Sequence, residues 1–423
     1  MLTAVVGINW GDEGKGRMVD LFSQKYDVIC RYQGGNNAGH TVVNEKGKFI
    51  LNLLPSGILG DATVNVMGGG MVIDLEHLCN EIFTLKEKGV LVTPENLKIS
   101  KNAFICLPYH KQQDILEEER LKDKKYGSTR RGIAPAYGDK YMKKGLRMGD
   151  LFDLENIGNK LSNILEWKNL ILSGYSSRTD EMSDIYRWLI GYGKMLTPFI
   201  TDTSDYLLDA IKNEKNIMFE AQLGSLRDID YGIYPYTTSS QTLAAYATIG
   251  AGIPGKKIDN VIGVMKAYSS CVGEGPFTAE LFGEEADDLR KAGNEYGAAT
   301  GRPRRVGGFD IPASKYGIEI QGADILALTK LDVLSYLEKI PVCVAYEIDG
   351  KKTNKFPIGD ELTKAKPIYE YLDGFKCDIS KCRKIDELPN EAIKYIRFIE
   401  NAVGCPIKYV SVGAERNDYI EMN

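Results

Sequence analysis

The segment Asn9-Trp10-Gly11-Asp12-Glu13-Gly14-Lys15-Gly16-Arg17 sets glycines and a lysine directly after an apolar run. Gly11, Gly14 and Gly16 can free backbone N–H groups to wrap an anion at a helix start, and Lys15 adds a point charge. Against the Walker A pattern, Gly14-Lys15 is in place, while Asn9 replaces the first glycine and Gly16 the terminal Ser/Thr. The plain alternative is a glycine-rich turn that caps a helix. Asp12 is hard to fit to that reading or to a simple phosphate site. A carboxylate among phosphates is repelled unless it holds Mg²⁺ or takes a proton from a substrate.

A second glycine-rich segment, Gln33–Thr41, carries His40. This histidine reads either as a hydrogen-bonded loop residue or as a catalytic one. Two such loops after two consecutive strands bring Asp12 and His40 to the same end of a sheet. Thr329-Lys330-Leu331-Asp332 closes another apolar run. A carboxylate there can accept from guanine N1–H and the 2-amino group, and adenine offers neither donor. The alternative is that Asp332 caps the next helix. Arg302, Arg304 and Arg305 put three arginines into four residues, and Arg forks bind carboxylates bidentately.

The elements that must position these groups follow from the apolar pattern. Strands are expected at Leu2–Ile8, Val28–Tyr32, Asn216–Glu220, Asn260–Lys266, Asp324–Thr329, Pro341–Tyr346 and Lys408–Val412. Helices are expected at Lys15–Gln24, Val72–Lys88 and Glu391–Val403. Their alternation predicts an α/β fold, a mostly parallel central sheet flanked by helices. Tyr126–Lys140 and Gly293–Asp310 read as Gly- and Arg-rich anion-binding loops.

Bulk properties agree with a soluble enzyme. The chain has 423 residues, 43% hydrophobic and 26% charged, with a net charge of −5, so no global basic field favours nucleic acid. No stretch reaches the roughly 18 apolar residues of a membrane span, and the N-terminus reads as a core strand rather than a signal peptide. Eight cysteines without a CxxC pair read as reduced thiols of a cytoplasmic protein. Three histidines, His40, His77 and His110, show no metal-ligand spacing.

NWGDEGKGRMVD followed by RYQGGNNAGHT resembles the two opening signatures of adenylosuccinate synthetases. GSTRRGIAPAYGDK, DIDYGIYPYTTSSQT, KAYSSCVGEGPF, NEYGAATGRPRRVGGFD, TKLDVL and SVGAER follow in the family's order, so the resemblance spans residues 4 to 416. It implies one catalytic unit over residues 1–423 that converts GTP, IMP and L-aspartate to GDP, phosphate and adenylosuccinate with Mg²⁺. It implies Asp12 as base and metal ligand, with Gly39 as a further metal contact, and His40 as acid. It implies GTP contacts at Gly11, Asp12, Glu13, Gly14, Lys15, Gly16, Arg17, Gly39, His40, Thr41, Lys330, Asp332, Ser411 and Gly413. Acceptor-nucleotide contacts fall on Asn37, Ala38, Thr129, Gln222, Leu223, Thr238 and Arg302, with Lys143 supplied by the other subunit of a homodimer. Aspartate contacts fall on Ala298, Ala299, Thr300, Gly301, Arg302 and Arg304.

The departures from the family gather on the acceptor side. Asn9 stands for the usual Gln, Arg17 for Lys, Lys143 for Arg and Ala414 for Pro. In Phe219-Glu220-Ala221-Gln222-Leu223-Gly224, Leu223 falls on the position of the family's IMP-contacting Gln. Cys271, Ala299 and Gly308 replace Arg, Thr and Trp. Two alternatives therefore stand beside the main reading: the same mechanism on another purine nucleotide, and a GTP-binding regulatory homologue without synthesis.

Overall fold

The computed structural model describes all residues except 45, 46, 61, 178–180, 297–300, 302 and 423. Leu2–Gly7 forms the first strand (β1), and every one of its residues is buried. Ala4 and Val6 pack with Leu207 and Ala247 on one face, while Val5 packs with Met18, Val19 and Phe22 on the other. That two-sided burial is why β1 reads as an unbroken apolar run rather than an alternating one.

Nine further strands complete its sheet: β2 Val28–Arg31, β3 Val64–Met67, β4 Leu97–Ser100, β5 Ile200–Thr201, β6 Ile217–Gly224, β7 Asn260–Lys266, β8 Ile325–Thr329, β9 Ile407–Ser411 and β10 Tyr419–Glu421. Their spatial order is β10-β9-β8-β7-β1-β6-β2-β3-β4-β5. Every neighbouring pair is parallel except β9 with β10. The carboxyl ends of β1, β2, β6, β7, β8 and β9 therefore share one edge. The chain passes from β1 to β2 on one side and from β6 across β1 to β7 on the other, and such a switch point is where open α/β sheets bind ligands.

The helix after the phosphate loop, α1 (Lys15–Ser23), starts behind Gly14, whose φ of 91° turns the chain sharply out of the loop. A helical body over β3–β5 has its own core, with Ile82, Leu85, Leu161, Leu165 and Leu189 packed together. Each such buried aliphatic side chain stabilises the fold by about 1.5–3 kcal/mol. A second sheet joins Phe309–Asp310, Lys339–Ile348, Lys351–Thr353 and Lys366–Asp373, and Pro341–Tyr346 belongs to it rather than to the main sheet.

Two expected loops contain regular structure. The second half of Tyr126–Lys140 belongs to a helix, Ile133–Met142, that buries Ile133, Ala136 and Tyr137. Its proline, Pro135, sits in the first turn, where no intrahelical N–H is needed, so it does not break the helix. Within Gly293–Asp310, Arg305–Gly307 pairs antiparallel with Ser269–Cys271, and Phe309–Asp310 joins the second sheet. Leu75–Glu87 is the helix expected from residue 72, shortened because Val72–Ile73 pairs with Phe104–Ile105 and Asp74 caps the helix. Among the described residues, no helix is long and apolar enough to cross a membrane.

Candidate active site

The phosphate loop leaves β1 with Gly11, Asp12 and Gly14 all at positive φ (101°, 59° and 91°). Its interior is held by Glu13. One carboxylate oxygen accepts from the Asn9 and Gly11 amides at 3.1 and 2.8 Å, and the other pairs with Lys15 Nζ at 2.8 Å. Burial alone would raise the Glu13 carboxyl, but Lys15 and the backbone donors bring it below its ordinary value. Glu13 thus gathers the donors a phosphate would use, and Lys15 is buried beside it. Thr329 at the end of β8 donates its hydroxyl to Glu13 O at 2.6 Å and ties the loop to the neighbouring strand.

The second glycine-rich loop lies next to it. His40 begins a hairpin of His40–Asn44 and Gly47–Leu51, and its ring lies over Gly16. His40 Nε2 meets Ser56 Oγ at 2.8 Å, and Ser56 donates its hydroxyl to Glu220 at 2.8 Å, so Ser56 accepts from Nε2–H. Glu220 lies 3.6 Å from the same nitrogen. Burial, followed by the cations Arg31 and Lys15, pushes the His40 pKa down to about 3, so the ring is neutral at pH 7. The buried group behind His40 (Ser56, Glu220, Arg31) was not singled out in the sequence. Its available signal was a glutamate inside an otherwise apolar strand.

On the far side of the phosphate loop, Arg304 Nη2 reaches Asp12 Oδ2 at 3.2 Å. The arginine-rich loop and the phosphate loop therefore meet at the carboxylate singled out as base. Arg302, Ala298, Ala299 and Thr300 lie outside the described residues, and Gly301 is exposed at φ 64°. Glu295, also not singled out from sequence, holds the other arm of Arg304 at 2.8 Å.

Asp332 follows β8. Burial raises its pKa, with Arg17 and Lys330 opposing, and its Oδ1 is a buried oxygen without a partner among the described residues. Lys330, at φ 59°, donates to Gly293 O at 2.7 Å. Arg17 turns away from the phosphate loop and donates to Ser411 Oγ and Gly413 O, bracing the segment beside Asp332. Ser411 and Gly413 are thus assembled with Asp332 and Lys330, while Gly39 and Thr41 are exposed near His40.

The acceptor-side residues divide. Asn37 Nδ2 donates to Thr238 Oγ1 at 3.3 Å, its own Oδ1 has no partner among the described residues, and Ala38 O accepts from Asn52 at 3.2 Å. Gln222 is buried and bound inward: it accepts from Gly35 N at 3.1 Å and donates to Gly35 O and Ala38 O at 2.8 and 3.2 Å. Gly34 permits this, because a Cβ there would stand 1.7 Å from Gln222 Oε1. Leu223, at φ 64°, lies instead against Gly11 of the phosphate loop. Thr129 and Lys143 are exposed, and Lys143 ends its helix at φ 62°.

A family model described as adenylosuccinate synthetase matches residues 4–420. The chain belongs to the adenylosuccinate synthetase family. It is 46% identical to the adenylosuccinate synthetase of Carboxydothermus hydrogenoformans, with 99% of each chain covered. It is 45% identical to that of Caldanaerobacter subterraneus, with 99% and 98% covered. The fully ligated adenylosuccinate synthetase of Plasmodium falciparum superposes with a TM-score of 0.93 at 37% identity, covering 100% of this chain and 99% of its own. The protein is accordingly a GTP-dependent ligase of purine biosynthesis that joins L-aspartate to IMP, and its family uses a divalent metal.

Proposed function

We propose that Asp12, His40 and Lys15 carry the synthesis of adenylosuccinate through a 6-phosphoryl purine. What supports this most is the convergence of two further loops on the phosphate loop: Arg304 reaches Asp12 at 3.2 Å, and the ring of His40 lies over Gly16 of the same segment. Asp12 takes the N1 proton of IMP, which makes the 6-oxygen anionic. That oxygen attacks the γ-phosphorus of GTP, the bond to the β-phosphate breaks and GDP leaves. The aspartate amine then attacks C6, the C6–O bond breaks and phosphate departs. Lys15 and His40 stabilise charge on the transferring phosphoryl.

Asp12, in the phosphate loop and 3.2 Å from Arg304, would hold Mg²⁺, with the Gly39 carbonyl as the further contact the family resemblance implies. No cluster of three acidic, His or Cys side chains occurs among the described residues, and Mg²⁺ takes one or two carboxylates together with substrate phosphates. When bound, Mg²⁺ draws charge from the β- and γ-phosphate oxygens. Asp332 reads guanine with its unpaired oxygen, Lys330 covers the base, and Arg302 and Arg304 take the carboxylates of aspartate. Thr129, Asn37, Ala38 and Thr238 bind the acceptor, and Lys143 completes the site of a second subunit in a cytoplasmic homodimer.

Asp12→Asn tests the reading. Turnover is expected to vanish while GTP binding persists, and substantial residual turnover would remove Asp12 from the role of base. Sedimentation at substrate saturation tests the dimer, and a monomer that turns over would refute it.

Leu223 favours a second reading, in which the site prefers a purine nucleotide other than IMP. A leucine at the 6-oxygen offers no donor, and Gln222 is already committed to Gly35 and Ala38.

A further inference from the structure

Glu295 is fully buried, yet it holds four cationic or hydroxyl donors from three different places in the chain. Its Oε1 meets Lys266 Nζ at 2.8 Å, Lys330 Nζ at 3.1 Å and the hydroxyl of Tyr268, and its Oε2 meets Arg304 Nη1 at 2.8 Å. Burial would raise this carboxyl, but Lys266, Lys330 and Arg304 together hold it well below the usual carboxylate range. Its backbone joins the same node, since Glu295 O accepts from Arg304 N at 2.9 Å.

Two of these partners are not core groups. Lys330 is 34% exposed and Arg304 18% exposed, so both reach the buried carboxylate from the edge of the site. Both lie in segments assigned above to ligands, and both reach inward to the same carboxylate. Lys330 stands two residues before Asp332. Arg304 reaches on to Asp12 and keeps a buried Nε with no acceptor among the described residues, a donor left over for a ligand.

We infer that Glu295 is a positioning residue that couples the guanine end of the site to the amino-acid end. The inference rests on the roles proposed above for Lys330 and Arg304. A guanine base held against Lys330 fixes Oε1, the rigid carboxylate fixes Oε2, and Arg304 is set for the incoming dicarboxylate. By linkage the amino acid must strengthen guanine-nucleotide binding by the same factor.

The test uses GDP, which binds without turnover. The Kd of GDP is measured with IMP and Mg²⁺ present, with and without L-aspartate. In the unmodified enzyme, L-aspartate is expected to tighten GDP by a factor within about 5 to 150. Glu295→Gln keeps the shape and removes the charge, and its factor is expected to fall to within about twofold of one. Should that variant fail to fold, Glu295→Asp keeps the charge beside Lys266 but is one methylene too short to span Lys330 and Arg304, and the same loss is expected.

A purely structural role would lower the melting temperature and leave the coupling factor intact. An unchanged factor in the folded variant, or a factor of one in an unmodified enzyme that turns over, overturns the inference. Absence of turnover with GTP, IMP and L-aspartate in the unmodified enzyme would instead count against the proposed substrates, so the two failures are told apart.

Discussion

A Cβ built on Gly16 would stand 2.2 Å from Cδ2 of His40 and 2.8 Å from its Cγ. The imidazole rests on bare backbone at the start of α1, at the position where a Walker A loop carries Ser or Thr. In place of that hydroxyl stands a histidine from a different loop. Gly16→Ala is therefore expected to displace His40. Turnover should fall by about a hundredfold or more, the scale of a lost acid–base or charge-stabilising group. GTP affinity should stay within a few-fold, because Lys15 and the loop amides remain. Steady-state kinetics separate the two, and an unchanged turnover number would free His40 from the chemistry.

Asp332 carries a buried oxygen with no partner among the described residues, and burial raises its pKa. Asp332→Asn keeps the shape and removes the carboxylate. Without nucleotide, the variant should melt no lower than the parent. The specificity constant for GTP should fall by about ten- to a hundredfold, the scale of a hydrogen bond to charge. The ratio of GTP to ATP use decides the matter, and a parental ratio in the variant would contradict guanine reading by this residue.

Leu223 and Gln222 exchange the roles their neighbours in sequence suggest. Leu223→Gln restores a donor next to the phosphate loop, at a φ of 64° that Gln tolerates no worse than Leu. Turnover with IMP should rise by about ten- to a hundredfold. Gln222→Ala should act on the fold instead. It leaves the Gly35 amide unpaired, at about 1–3 kcal/mol, which a thermal melt would register. A turnover loss without a stability loss in that variant would assign the acceptor contact to Gln222.

Asp310 caps the helix Ile311–Gln321 and is bonded to Thr278 and Tyr346 at 2.6 and 2.5 Å. Burial pushes its pKa from 3.8 up to about 6. In the unfolded chain the group ionises near pH 4, while the folded chain keeps the proton to about pH 6. Its contribution is thus present below about pH 4 and lost as pH rises through about 6. Asp310→Asn should gain stability relative to the parent between pH 4 and pH 7, by up to roughly 3 kcal/mol. Urea melts of both proteins at the two pH values test this, and a difference independent of pH would contradict it.

Much of the fold was legible because β1, β7 and β8 are buried on both faces and read as plain apolar runs. Their observed bounds lie within a residue of those expected. The short outer strands Val64–Met67 and Ile200–Thr201 were not legible, since four and two residues are too few to show a period. The helix Ile133–Met142 was hidden by its own glycine and proline. In the site, the residues proposed to meet ligands stood out because glycine, lysine and arginine are costly in a core. Glu295, Glu220 and Ser56 did not, because their partners lie tens to more than a hundred residues away or in adjoining loops, and no local pattern announces such contacts.

The central claim is that the 6-oxygen of IMP is phosphorylated before aspartate displaces it. Incubation with IMP labelled with heavy oxygen at position 6, together with GTP, L-aspartate and Mg²⁺, followed by mass analysis of all products, tests it directly. The expected result is adenylosuccinate and GDP, with the heavy oxygen transferred to inorganic phosphate. Adenylosuccinate accompanied by unlabelled phosphate, or GTP hydrolysis with no adenylosuccinate, would contradict it.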